Sequence, residues 1–147
     1  MKKYFFVFAL FLTANSLFAQ EFLVLTTVES VVPGGLGRSR MILQNSPIDS
    51  DALTTERTDG VTSEQDKVKR KDAKADKFEE TKMLNFYSLT GINFQNIASN
   101  DAIITDKLNK LAKEGWKLTH VTRGVESDAG KDDGTGIFIT RFIFYRE

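Results

Sequence analysis

The chain has 147 residues, one histidine, no cysteine, and equal numbers of acidic and basic residues, twenty of each. The lack of cysteine excludes disulfides, thiolate nucleophiles and thiolate metal ligands, and a single histidine argues against a zinc site. A balanced charge gives no indication of nucleic-acid binding, so the composition predicts neither a cofactor nor a metal.

The first nineteen residues, MKKYFFVFALFLTANSLFA, have the pattern of a secretory signal peptide. Lys2 and Lys3 form a positive n-region, residues 4–12 an apolar h-region, and Ala19 is the small residue that signal peptidase requires. The apolar run is well short of the roughly 20 residues that span a bilayer. We therefore expect residues 20–147 to form one bacterial domain that is exported to the periplasm or secreted, without stable membrane insertion. An uncleaved N-terminal anchor is the alternative.

A β-hairpin is predicted to open this domain. Residues 21–32 are rich in Val, Leu, Thr and Phe without a helical period, and residues 38–44 are the predicted return strand. The connection, PGGLG, contains residues that tolerate the positive φ of a tight turn. These turn residues are Gly34, Gly35 and Gly37.

Segment 49–82 differs from the rest of the chain in composition, because ten of its thirty-four residues are acidic and eight are basic. Such a segment buries too little apolar surface to offset its ordering entropy. We predict a mobile charged insertion, disordered or containing a frayed helix, which serves as a solvated linker or as a charged interaction arm. In segment 83–97 apolar density returns, and a short strand or helical turn followed by a loop packed on the core is expected there.

The clearest helix is predicted over residues 100–114. Residues 99–101, Ser-Asn-Asp, supply N-cap candidates, and apolar residues recur at helical spacing from Ile104 to Leu111. Gly115 follows where a left-handed residue ends a helix, and a Schellman ending would bring Trp116 onto Leu111.

Two further strands are predicted at the C-terminal end, over residues 116–123 and 137–146. The first alternates so that Trp116, Leu118 and His120 share one side, which predicts a half-buried His120. In the last strand both alternating sets are apolar, so both faces need cover. One helix covers one face. Segment 83–97, a second copy of the chain or a ligand would have to cover the other.

These elements predict an α+β fold, with a mostly antiparallel sheet of about four strands, one main helix packed on one face, and the charged insertion. The segment KLNKLAKEGWKL, with Gly115 and Trp116 at the hand-over from helix to strand, resembles a family of uncharacterised strand-helix-strand-strand domains. That family carries an L-N-x-L-x-x-E-G-W-[EK]-L segment. The resemblance covers about 45 residues, and since the family has no established activity, it implies a fold and no function.

No catalytic set is evident in the sequence, so we expect a non-catalytic binding module that acts through the second apolar sheet face or the glycine-rich hairpin. Its partner would be another protein or a second copy of the chain. The alternative is a binder of, or an enzyme acting on, a small anionic ligand, because converging arginines can hold a carboxylate or phosphate. The residues of that candidate site are Arg38, Arg40, Arg123 and His120.

Overall fold

Two ten-residue strands form the centre of the fold, which a computed structural model describes over residues 20–31, 38–125 and 136–147. In this part of the chain a five-stranded antiparallel sheet has the order β3-β2-β1-β7-β6, and β4 pairs with β5 in a separate small sheet. The elements are β1 Glu21–Ser30, β2 Arg40–Leu43, β3 Glu79–Lys82, β4 Tyr87–Ser88, β5 Gly91–Ile92, α1 Phe94–Lys113, β6 Lys117–Val125 and β7 Ile137–Arg146. The predicted α+β fold is confirmed.

The covered face of the sheet is the one that packs against α1. Leu25 of β1 lies between Leu43 of β2 and Phe142 of β7, and Phe144 lies opposite Leu23. Leu111 of α1 is buried with them. Since side chains alternate along a strand, one set of alternate residues of β1 and β7 builds this core. The buried apolar residues are Leu25, Met41, Leu43, Met83, Leu111 and Phe144.

Helix α1 begins six residues earlier than the sequence predicts. Asn93 is its N-cap, and the Asn93 side chain accepts a hydrogen bond from the Asn96 N–H at 3.1 Å. Asn100, predicted to lie at the helix start, is instead a buried residue in the second turn of α1. The prediction was wrong because the polar run 99–101 resembles a cap, whereas Asn100 serves a tertiary contact described below.

The predicted helix ending is confirmed. The Trp116 N–H donates to the Leu111 carbonyl at 3.0 Å and the Gly115 N–H to the Ala112 carbonyl at 3.1 Å, which are the two bonds of a Schellman motif. Gly115 has φ +89°. The Arg146 guanidinium lies 4.4 Å from the centre of the Trp116 ring and also pairs with Glu21. The helix end is thereby tied to the last residue of β7.

The charged segment contributes its last four residues to the sheet, as the edge strand β3, paired with β2. Within residues 44–78 the helical elements are two short 3₁₀ turns, at Asp51–Leu53 and Gln65–Lys67, in place of the predicted frayed α-helix. Asp59 organises a local turn there. Hydrogen bonds from the Thr62 hydroxyl, then from the Thr62 and Val61 N–H groups, lower the pKa of the Asp59 carboxyl to about 2.

The Schellman ending gives a test of the fold. Replacing Gly115 with Ala should lower the free energy of unfolding by about 1–2 kcal/mol, because a Cβ disfavours the left-handed conformation. Gly124→Ala is the matched control, since the backbone there is not left-handed and an added Cβ meets nothing within 4 Å. Urea unfolding monitored by Trp116 fluorescence measures both variants, and equal midpoints would contradict the assignment.

Candidate functional site

The side of the sheet opposite α1 is apolar too, and we call it the open face. It carries the alternate residues of β1 and β7 that the core does not use, as the alternation in the sequence predicts. Its apolar members are Phe22, Val24, Val28, Ile42, Ile137, Ile139, Ile143 and Tyr145.

None of these eight side chains is buried, and none belongs to the core or packs against it. Phe22 has 65% of its surface exposed and Val24 40%. Both residues lie on β1, in the part of that strand that pairs with β7 but extends past the end of β2. Branched and aromatic side chains that face solvent beside the apolar residues of β7 are unusual for a sheet face that has no partner.

The segment that the sequence offered as a cover lies on the other side. Met83 is part of the core beneath α1, and the Phe86 ring lies 5.8 Å from the ring of Phe138, a covered-face residue. Segment 83–97 therefore packs on the covered face, as expected of a core-facing loop, and does not cover the open face.

The four residues of the candidate anion site are not brought together. Arg40 lies on the open face at β2, beside Val28, and Arg38 is an exposed residue just before that strand. His120 lies on the open face at β6, three strands away from Arg40, a spacing of roughly 14 Å. Arg123 pairs with Thr140, so its side chain starts from the covered face.

His120 is exposed, which corrects the predicted half-buried position. All residues of the edge strand β6 are exposed, so the position of the strand at the sheet edge accounts for the exposure of His120. The face on which His120 lies is set by an irregularity in β6 between Leu118 and His120, which leaves Thr119 without a partner in β7. Such a bulge inserts one residue and reverses the alternation after it. Leu118 thus pairs with Phe144 of the covered face, whereas His120 pairs with Ile143 of the open face.

One cleft opens on this side, at the paired ends of β6 and β7, with a volume of about 430 Å³. Gly124 lies opposite Ile139 and offers no side chain, which leaves room beside Arg141. Arg123 also borders the cleft, although its side chain starts from the covered face. A cleft with an apolar wall and the side chain of Arg141 suits an anionic group that is attached to an apolar one.

A buried polar network, which the sequence analysis missed, fixes the chain at one end of the covered face. The Asn100 side chain accepts from the Leu84 N–H at 2.8 Å, donates to the Leu84 carbonyl at 2.8 Å, and donates to Glu29 at 3.1 Å. Asn100 thus completes the hydrogen bonding of a backbone segment that no strand pairs with. In the sequence, Glu29 occurs at the same alternate positions as Leu25 and Thr27, which indicates that its side chain lies on the covered face of β1.

Two serines extend this network beside the predicted glycine turn. The Ser39 hydroxyl donates to Asn85 Oδ1 at 2.7 Å and accepts from the Ser30 N–H at 2.9 Å. The Asn96 side chain donates to the Asn85 carbonyl at 2.8 Å. The structural roles predicted for Leu111, Gly115 and Trp116 are seen in the helix ending, whereas Gly34, Gly35 and Gly37 lie outside the described residues.

In the described part of the chain, no group of three or more His, Asp or Glu side chains could hold a metal ion. Neither is any helix in that part both long enough and apolar enough to cross a membrane. Comparisons of the chain with family models, with curated proteins and with solved structures found no match.

The buried Asn100 should be required for stability. Asn100→Leu removes three hydrogen bonds and leaves the Leu84 N–H unpaired, which should cost about 3 kcal/mol of unfolding free energy. Asn109→Leu, an exposed position on the same helix, is the matched control and should change little. Urea unfolding measures both, and a similar small effect at the two positions would contradict the structural role.

Glu29 should make stability depend on pH. Burial, then the nearby Asp101 charge, raises the pKa of the Glu29 carboxyl above the ordinary 4.5, although the Asn100 hydrogen bond opposes this. Between pH 4.5 and the raised pKa of Glu29, the folded state binds more protons than the unfolded state. The contribution of Glu29 to stability should therefore fall as pH rises through and above 4.5. Glu29→Gln should reduce this decline in urea unfolding at several pH values. An unchanged pH profile would contradict the prediction.

Proposed function

We propose that this chain is an exported, non-catalytic binding module that engages a protein partner through the open face of its sheet. The observation that carries the proposal is the apolar surface of that face, eight side chains on the three adjacent strands β2, β1 and β7 that the core does not use. Contiguous exposed apolar surface of this kind marks interaction sites in soluble proteins.

The size of the face supports the proposal. Three strands about 4.8 Å apart, two of ten residues and one of four, present an apolar face of roughly 400 Å² before side-chain relief is counted. A standard protein interface buries roughly 800 Å² on each partner. The apolar face is therefore large enough for about half of one specific interface, and β6 and β3 can supply the rim.

A binding role also suits the chemistry of the face. What it offers is branched and aromatic contact surface flanked by fixed cations, which is the composition of a recognition surface. The alternative, a site for a small anionic ligand built from Arg38, Arg40, Arg123 and His120, has less support because these residues are spread over two faces and distant strands. Export is proposed from the leader sequence.

The proposal predicts that two exposed residues of β1 carry much of the affinity. Phe22→Ser combined with Val24→Ser should reduce partner adducts at least about tenfold, because each burial contributes about 1.5–3 kcal/mol. The readout is mild formaldehyde crosslinking of the tagged full-length chain in its exporting host, with mass spectrometry of the adducts. Binding of a solvatochromic dye should fall in the same variant.

The matched control is Phe94→Ser combined with Val121→Ser. These residues have similar exposure, 74% and 48%, but Phe94 begins α1 and Val121 lies on the covered-face side of β6. The two double variants should lower the unfolding midpoint by similar small amounts, because all four side chains are partly exposed and each variant replaces one strand valine. Equal loss of adducts in the two variants would argue against the open face as the binding surface.

A further inference from the structure

The open face is basic as well as apolar. Arg141 of β7 lies near its middle, between Ile139 and Ile143 along the strand and between Thr26 and Thr122 across the sheet. Among the described residues, the acidic members of this side are at its margins, Glu80 on the edge strand β3 and Glu147 at the chain end. The cations of the face are Arg40, Lys82, Lys117 and Arg141.

Arg141 has no carboxylate within ion-pair distance among the described residues, and it is exposed. The Arg40 guanidinium donates to the neighbouring Ser39 carbonyl at 2.9 Å and forms no ion pair with a carboxylate of the described residues. An occupant that covered the apolar residues around Arg141 without supplying an anion would bury an unpaired guanidinium, which is costly. The occupant must therefore be acidic where it meets this residue.

A second copy that docked by its own open face fails this requirement. A two-fold axis through the centre of the face, near Thr26, would place Arg141 of each copy over the Ile42 side of the other. Two guanidinium groups would then be buried against apolar side chains, and the described strands place no acidic residue near the centre that could neutralise them. The arrangement of charges favours a different protein over a symmetric dimer.

The spacing of the cations indicates the shape of the partner. Arg40 on β2 and Arg141 on β7 lie on the two strands that flank β1, about 10 Å apart in the hydrogen-bonding direction. This matches the diameter of an α-helix with its side chains, about 10 Å. Between them β1 provides an apolar floor, formed by Val24 and Val28. Covering a sheet face with a helix is also how the other side of this domain is completed.

We propose that the partner contacts the open face with an amphipathic helix that lies along β1 and carries acidic residues on both flanks of its apolar stripe. One flank pairs with Arg40 and the other with Arg141, and the cleft at Gly124 accepts an acidic side chain beside Arg141. This inference rests on the proposed function, because it names the class of partner for the same surface.

The test uses two labelled peptides of about 18 residues, roughly 27 Å long as helices. Both have the same leucine stripe, flanked on both sides by glutamate in one and by lysine in the other. Fluorescence anisotropy with the leaderless protein should give at least about tenfold tighter binding of the glutamate peptide in about 0.05 M salt, and a smaller preference in about 0.5 M salt.

Three variants locate the contact. Arg141→Gln should weaken binding of the glutamate peptide about fivefold, as expected for one partly exposed charge pair. Gly124→Val fills the cleft and should also weaken it, whereas its unfolding midpoint should not fall because the added side chain meets open space. Lys113→Gln removes the same charge from the last turn of α1, behind the sheet, and should leave binding unchanged.

Equal affinity for the two peptides, or equal loss with Lys113→Gln, would overturn the inference. Binding only to vesicles of phosphatidylglycerol and phosphatidylcholine, or a stable dimer by light scattering that Val24→Ser dissolves, would replace the helix by a membrane or a second copy. If crosslinking in the host still depends on Phe22 and Val24 while the peptides do not discriminate, the binding role stands and the acidic-helix inference fails. If neither the crosslinking nor the peptide binding depends on the open face, both the binding role and the acidic-helix inference fail.

Discussion

The fold depends on the ladder between β1 and β7, in which ten residues of one strand pair with ten of the other without a shift in register. Because β7 is apolar at nearly every position and side chains alternate, this ladder presents apolar surface on two sides at once. Helix α1 covers one of them. The open face is therefore a direct consequence of pairing these two strands in a domain whose described part has one long helix.

The polar network at one end of the ladder decides which side α1 covers. Asn100 holds the backbone of Leu84 through two hydrogen bonds and reaches Glu29 through a third, so α1 and segment 83–97 are fixed to the same face. The raised pKa of Glu29 is the electrostatic consequence of this burial. Polar burial thus fixes the position of the helix, while apolar packing around Leu111 supplies most of its stability.

Much of this arrangement could be predicted from local pattern. The bounds of β7 and its two-sided character follow from apolar residues at both alternating sets of positions on either side of Thr140 and Arg141, and the helix end follows from Gly115 and Trp116. The start of α1 could not be predicted in this way, because Asn100 is held by residues up to 71 positions away. A local polar run looks the same whether it caps a helix or fills a buried contact.

The edge strand β3 and the faces on which the candidate site residues lie could not be predicted from the sequence, for a related reason. The edge strand β3, EETK, has a composition typical of a loop, and it is a strand because it pairs with β2. The bulge at Thr119 reverses the side of β6 on which His120 lies, and nothing in the alternation of that strand indicates it. Sequence alone identified residues of the right chemistry, but the assignment of faces needed the register.

Register also explains how a chain with balanced charge can have a basic sheet face, the proposed binding surface. Segment 49–82 holds ten acidic and eight basic residues, whereas Arg40 and Arg141 are placed on the open face by their pairing with β1. Burial of the apolar area on that face would contribute affinity for a partner, but it contributes little to the choice of partner. Arg141 restricts the choice, because a cover that lacks an opposing carboxylate must leave its charge unpaired at the centre of the contact. In this proposal the apolar residues of β1 and β7 supply the affinity for a partner, and Arg141 of β7 supplies the selectivity.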